Sequence, residues 1–130
     1  MEALIFDTTF LIDFQRERQA GQGAAHSFLE AHADAVAYLP ITAYGEFAEG
    51  FTNRTDPAFL CMVESFELIP VTREVANTYA KITRELRGKG RLIGSNDLWI
   101  AASAIEKNLP LVTRNILDFS RISCLELRSY

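Results

Sequence analysis

The sequence carries short, largely uninterrupted apolar runs: Ala3-Leu4-Ile5-Phe6, Ala35-Val36-Ala37-Tyr38-Leu39, Phe66 to Val71 and Leu109 to Thr113. A strand solvated on one face alternates apolar with polar residues, whereas a strand covered on both faces reads as a continuous apolar run. Segments of helical spacing separate the runs. Strands alternating with helices predict an α/β fold: a mainly parallel sheet of four to five strands, right-handed crossovers and helices on both faces. A chain of 130 residues has the size of one domain, expected to span 1–130.

The helices are marked by their caps and stripes. One is expected from Thr8 to about Gln19, with Phe10, Leu11 and Phe14 on one face, and a second from Ala24 to Ala33. Thr42 is the expected N-cap of a helix running to Phe51. A further helix follows Pro57, from Ala58 to Glu64. Thr72 should cap a long amphipathic helix whose inner stripe is Val75, Tyr79, Ile82 and Leu86, ended by Gly88 and Gly90. Asn96 to Lys107 is apolar on nearly all sides, with small Ala101, Ala102, Ser103 and Ala104, as a central helix packed closely on the sheet would be. Cys124 to Leu127 is the expected last strand.

Composition excludes some roles. No apolar run is long enough to span a bilayer, and the N-terminal residues lack the pattern of a secretory signal, so a cytoplasmic location is expected. Cys61 and Cys124 lack metal or redox spacing and are expected to be buried thiols. A net charge of −4 argues against a protein that coats nucleic acid by bulk electrostatics. That charge conceals a local basic strip, Lys81, Arg84, Arg87, Lys89 and Arg91, against the single Glu85. The strip is either a solvated helix face or a track for nucleic-acid phosphates.

Four acids have ordinary explanations one at a time. Asp7, after the first strand, could cap the next helix; Glu46 lies one turn into the helix after the second strand. Asp97, after Gly94-Ser95-Asn96, could cap the apolar helix, and Asp118 falls in the loop after the fourth strand. Together, however, all four map to one end of the sheet, where such folds place their ligands. Converging carboxylates repel one another and raise each other's pKa unless a cation sits among them. Oxygen ligands without clustered His or Cys favour Mg²⁺ or Mn²⁺, which would suit phosphodiester hydrolysis. Thr9, Thr113 and Asn115 are neutral groups placed to steer the acids or a phosphate. His26 and His32 lie far from these loops and are read as structural.

Four segments, in order and covering nearly the whole chain, resemble the PIN-domain family, especially the toxins of VapBC toxin–antitoxin modules. They are Leu4-Ile5-Phe6-Asp7-Thr8-Thr9-Phe10-Leu11-Ile12, Tyr44-Gly45-Glu46-Phe47, Ile93-Gly94-Ser95-Asn96-Asp97-Leu98-Trp99-Ile100-Ala101-Ala102, and Leu111-Val112-Thr113-Arg114-Asn115-Ile116-Leu117-Asp118-Phe119. The third segment is the most specific. The resemblance implies a PIN-like three-layer fold and a metal-dependent endoribonuclease with Asp7, Glu46 and Asp97 as the principal acids. It also implies an RNA substrate, a homodimer and a small VapB-like antitoxin as partner. Two positions depart from the pattern: Thr9 stands where many relatives have Ser or Asn, and neutral Asn115 where many carry an acid. Asp118 is therefore expected to supply the fourth carboxylate.

Other readings fit less well. A receiver-like signalling domain would want an acceptor Asp after the third strand, which ends Ile69-Pro70-Val71-Thr72. A haloacid-dehalogenase-like phosphatase would want Asp where Thr9 stands, and a dinucleotide-binding fold would want a Gly-rich turn after the first strand. A catalytically inactive binding domain would have little use for four acids.

Overall fold

Leu4, Ile5 and Phe6 are all essentially without solvent exposure, so the strand that contains them, β1 (Ala3–Phe6), is covered on both faces. The computed structural model describes residues 1–130. After β1 come α1 (Thr8–Ala20), α2 (Ala24–Ala31), β2 (Val36–Pro40), α3 (Ile41–Glu49), α4 (Pro57–Val63) and β3 (Glu67–Ile69). The chain continues through α5 (Arg73–Gly88), α6 (Ser95–Lys107), β4 (Leu111–Val112), α7 (Ile116–Phe119) and β5 (Leu127–Arg128). The strands lie in the order β3-β2-β1-β4-β5, and every pairing is parallel.

The alternation of side chains along β1 divides the interior in two. Leu4 and Phe6 join Phe10, Ala25 and Val112 in a small aromatic cluster. Ile5 belongs to the larger cluster, which takes in Leu11, Leu39, Phe47, Phe59, Ile82, Leu98 and Leu111. The expected stripe of α5 faces α6: Val75, Ile82 and Leu86 are buried, and Tyr79 stacks on Trp99 at 3.8 Å between ring centroids. Ala101, Ala102, Ser103 and Ala104 are all buried, as the small-residue run of α6 anticipates.

The sheet reverses direction at β1. The chain builds outward through β2 and β3, then crosses to the other side of β1 for β4 and β5. The crevice beyond the carboxyl ends of β1 and β4 is therefore the switch point where doubly wound folds bind ligands.

Several local expectations need correction. Thr42 does not cap α3: the N-cap is Pro40, and the Thr42 hydroxyl is buried without a partner inside the first turn. Pro40 supplies the extended backbone that a helix start needs, so the helix begins earlier than the hydroxyl suggested. The last strand is Leu127–Arg128 rather than Cys124–Leu127, because Leu111 and Val112 pair with those two residues. Both cysteines are exposed. The inward side of α4 is taken by Phe59 and Met62, at a spacing of three, which turns Cys61 outward; Cys124 falls in the turn before β5.

Phe59 is fully buried against Tyr44, Phe47 and Phe51. Phe59→Ala should cost about 3–5 kcal/mol in urea unfolding. A loss below about 1 kcal/mol, within the range of an ordinary surface change, would mean that this cluster does not hold α3 and α4 to the sheet.

Candidate functional site

The parallel register of β1 and β4 creates the centre of the site. Phe6 is aligned with Val112, so the next residue of each strand, Asp7 and Thr113, emerge side by side at the carboxyl edge. Asp7 is 2% exposed. Its Oδ2 accepts from the Thr113 hydroxyl at 2.5 Å. Its Oδ1 accepts from the Thr9 hydroxyl at 2.8 Å and from the Phe10 N–H at 3.0 Å. Asp7 thus caps α1, as the ordinary explanation expects, and it also stands at the switch point. Burial raises its pKa despite these three hydrogen bonds, which pull the other way, and nearby Asp13 adds to the rise.

Glu46 reaches the same end of the sheet from α3. Its Oε1 accepts from the Thr8 hydroxyl at 2.7 Å. No local pattern marks Thr8 beside Thr9 as a site residue, yet the two successive threonines serve different acids, Thr8 holding Glu46 and Thr9 holding Asp7. Asp118 lies in α7, where it accepts from Asn115 Nδ2 at 3.1 Å and pairs with Arg121 at 3.6 Å. The Asn115 N–H in turn donates to the Thr113 hydroxyl at 2.9 Å. Thr113 and Asn115 therefore form a bridge of hydrogen bonds from Asp7 to Asp118.

Asp97 stands in the first turn of α6 but does not cap it; the N-cap is Gly94, without a side-chain bond. Half-buried and without a hydrogen bond to its carboxylate, it has a pKa pushed up to about 6, first by burial and then by the charges of Asp7, Glu46 and Asp118. The four acids named from the sequence thus share one field, although they come from four different segments. As the side chains stand, no three acidic, His or Cys groups are close enough to hold a common ion directly. That arrangement still fits Mg²⁺ or Mn²⁺: magnesium keeps several waters and takes only one or two carboxylates directly, and Asp97 is a carboxylate without a cationic or hydrogen-bonding partner.

The basic strip is not part of this cluster. Lys81, Arg84 and Arg87 lie exposed along α5, with Lys89 and Arg91 in the turn that follows, and none of the five has an ion-pair partner within 4.0 Å. One link joins the strip to the acids: Arg121, the partner of Asp118, donates to the carbonyls of Arg91 and Leu92 at 3.5 and 3.1 Å. His26 binds Glu17 and stacks on Phe14, while His32 stacks on Phe28, structural positions both.

An all-parallel sheet between helical layers, with acids gathered at its switch point, defines a PIN domain, and the chain belongs to that family: the family model for the PIN domain matches residues 4–123. Among its relatives, Ribonuclease VapC1 of Methanocaldococcus jannaschii is 33% identical over 128 residues, covering 98% of this chain and 86% of the relative. Ribonuclease VapC1 of Rickettsia felis is 30% identical over 126 residues, covering 95% and 93%. In three dimensions the chain resembles a protein in the crystal structure of VapBC2 from Rickettsia felis bound to a DNA fragment from its promoter, with a TM-score of 0.84, 25% identity and 98% of each chain covered.

The raised pKa of Asp97 has a sign that can be tested. Its folded value, about 6, lies above the ordinary 3.8, so the folded protein holds this proton more tightly than the unfolded chain. Stability from this group is present below the ordinary value and is lost as pH rises towards 6. Asp97→Asn should therefore raise the melting temperature of metal-free protein at pH 8 and leave it almost unchanged at pH 4. Equal shifts at the two pH values would remove the repulsion account.

Proposed function

We propose that the chain is a Mg²⁺- or Mn²⁺-dependent endoribonuclease that hydrolyses RNA phosphodiester bonds, and that it serves as the toxin of a two-component toxin–antitoxin module. The observation that carries the proposal is the common field of Asp7, Glu46, Asp97 and Asp118 around an otherwise unpartnered Asp97 carboxylate. The names of the relatives support the ribonuclease part. In this reading residues 1–130 act as one domain, located in the cytoplasm; no helix is long and apolar enough to cross a membrane.

Asp7, Glu46 and Asp97 would hold the cation, with Asp118 completing the acidic shell. The ion, when bound, supplies charge neutralisation at the phosphate and activation of a water. Thr113 and Thr9 keep both oxygens of Asp7 fixed, and Thr8 fixes Glu46, so the acids require little reorganisation during reaction. Asn115 holds Asp118 in place through its amide and is read as a supporting group. Substrate enters over the rim, with its backbone running along Arg84, Arg87, Lys89 and Arg91.

The partner in this reading is a VapB-like antitoxin that docks an amphipathic helix in a groove, as many such partners do. A cavity of about 230 Å³ between α1, α2 and α4 has the character to receive it, lined by Phe10, Leu11, Phe14, Leu29, Met62 and Phe66. A second copy of the chain is the proposed occupant of the apolar surface at the end of edge strand β3. There Ile41, Leu68 and Val71 are 37%, 44% and 42% exposed.

Asp7→Asn and Asp97→Asn should each lower RNA cleavage by orders of magnitude while the fold persists, and Asp7→Asn should shrink the rise in melting temperature caused by magnesium. Cleavage undiminished in both variants, or in excess chelator, would overturn the metal-dependent reading. Replacing Arg87 and Arg91 together by Ser should weaken binding to RNAs of unrelated sequence and reduce the salt slope of binding by roughly one to two. A slope equal to that of the wild type would make the strip an ordinary solvated face.

A further inference from the structure

Asp13 is a buried carboxylate outside the acidic cluster. It lies one turn beyond Thr9 on α1 and is 9% exposed. Two groups from distant parts of the chain converge on it. Arg114 Nη1 donates to its Oδ1 at 3.1 Å and lies 3.0 Å from its Oδ2; the Tyr130 hydroxyl donates to Oδ2 at 2.7 Å. Arg114 directly follows Thr113. The ring of Tyr130 packs edge-on against Phe10, the neighbour of Thr9 on α1, at 4.8 Å between centroids.

These contacts close a ring around the centre of the site. Thr9 and Thr113, one from α1 and one from the end of β4, each hold one oxygen of Asp7. Asp13, itself on α1, ties the same two elements together one step further out through Arg114 beyond β4, and Tyr130, bonded to Asp13 and packed on Phe10, braces the α1 side. The two hydroxyl donors hold the Asp7 carboxylate from opposite elements, and the outer contacts span the same two elements. Partners one shell out from a metal-binding group commonly govern its affinity in this way.

We propose that Asp13 and Tyr130 are positioning residues for Asp7, holding its carboxylate, through Thr9 and through Arg114 and Thr113, in the orientation that receives a divalent cation. The inference rests on the metal-dependent reading above. A purely structural tie would affect stability and leave cation binding unchanged.

Tyr130→Phe removes the hydroxyl and keeps the ring on Phe10. Mn²⁺ binding, followed by electron paramagnetic resonance on the wild type, Tyr130→Phe, Thr9→Val and the double variant, should show Tyr130→Phe weakening affinity roughly tenfold. Cleavage should fall through kcat, with KM for RNA unchanged. The double variant should lose less Mn²⁺ affinity than the two single losses combined, because both changes act on the orientation of one carboxylate and coupled changes are not additive. Asp13→Asn, which keeps the shape of the side chain, should weaken Mn²⁺ binding likewise and gives the reading should Tyr130→Phe not fold. Wild-type affinity in Tyr130→Phe or in Asp13→Asn, or a fully additive loss in the double variant, overturns the inference and leaves the metal reading standing. A wild type that binds no Mn²⁺ overturns both.

Discussion

Asp7 and Thr113 are 106 positions apart in the chain, and the hydrogen bond between them is 2.5 Å long. It can form because β1 and β4 are parallel neighbours in a register that aligns Phe6 with Val112. Most of the site depends on that alignment. Thr113 also receives the Asn115 N–H, and Asn115 holds Asp118, so a slip of β4 by one residue would turn Thr113 to the other face of the sheet. Asp7 would then be left buried with an unmet acceptor, and Asp118 would lose its orientation. Phe6 and Val112, the aligned pair, share a buried cluster with Leu4, Phe10 and Ala25.

Much of this was legible in the sequence, for a reason that can be stated. Unbroken apolar runs between helical segments dictate a sheet covered on both faces, and an acid directly after such a run has nowhere to go but the carboxyl edge. That reasoning places Asp7 with no knowledge of packing, and it puts Asp118 in the segment that follows the fourth strand beyond the same edge. Thr8 and Asp13 were less visible because their roles arise between elements. Thr8 meets Glu46 across 38 positions, and Asp13 meets Arg114 across 101; no local pattern in α1 announces either. Thr42 shows the opposite failure, since a good capping residue lost its place to Pro40, whose extended backbone already starts the helix. The cysteines were misjudged for a related reason: a thiol is buried only when its turn of the helix faces inward, and in α4 Phe59 and Met62 take that side.

Charge is distributed unevenly in the fold. The acids are gathered at one rim, while the cations of α5 and of the turn after it stay unpaired on the surface, with Arg121 standing between the two through its contacts to Asp118 and to the carbonyls of Arg91 and Leu92. The two sets of charge are thus joined through one side chain rather than by direct ion pairs. The net charge of −4 says little about such a surface, because potentials follow local arrangement within about a Debye length.

The long separation of Asp7 from Thr113 also governs when the site can exist during synthesis. A ribosome adding about 5–20 residues per second makes β1 several seconds or more before β4. Through that interval the first strand has no β4 beside it, and Asp7 lacks the hydroxyl that fixes Oδ2. The acids contributed by α6 and α7 have not yet been made for most of that time. The arrangement around Asp97 is therefore assembled only when the second half of the sheet is in place, late and all at once rather than by degrees.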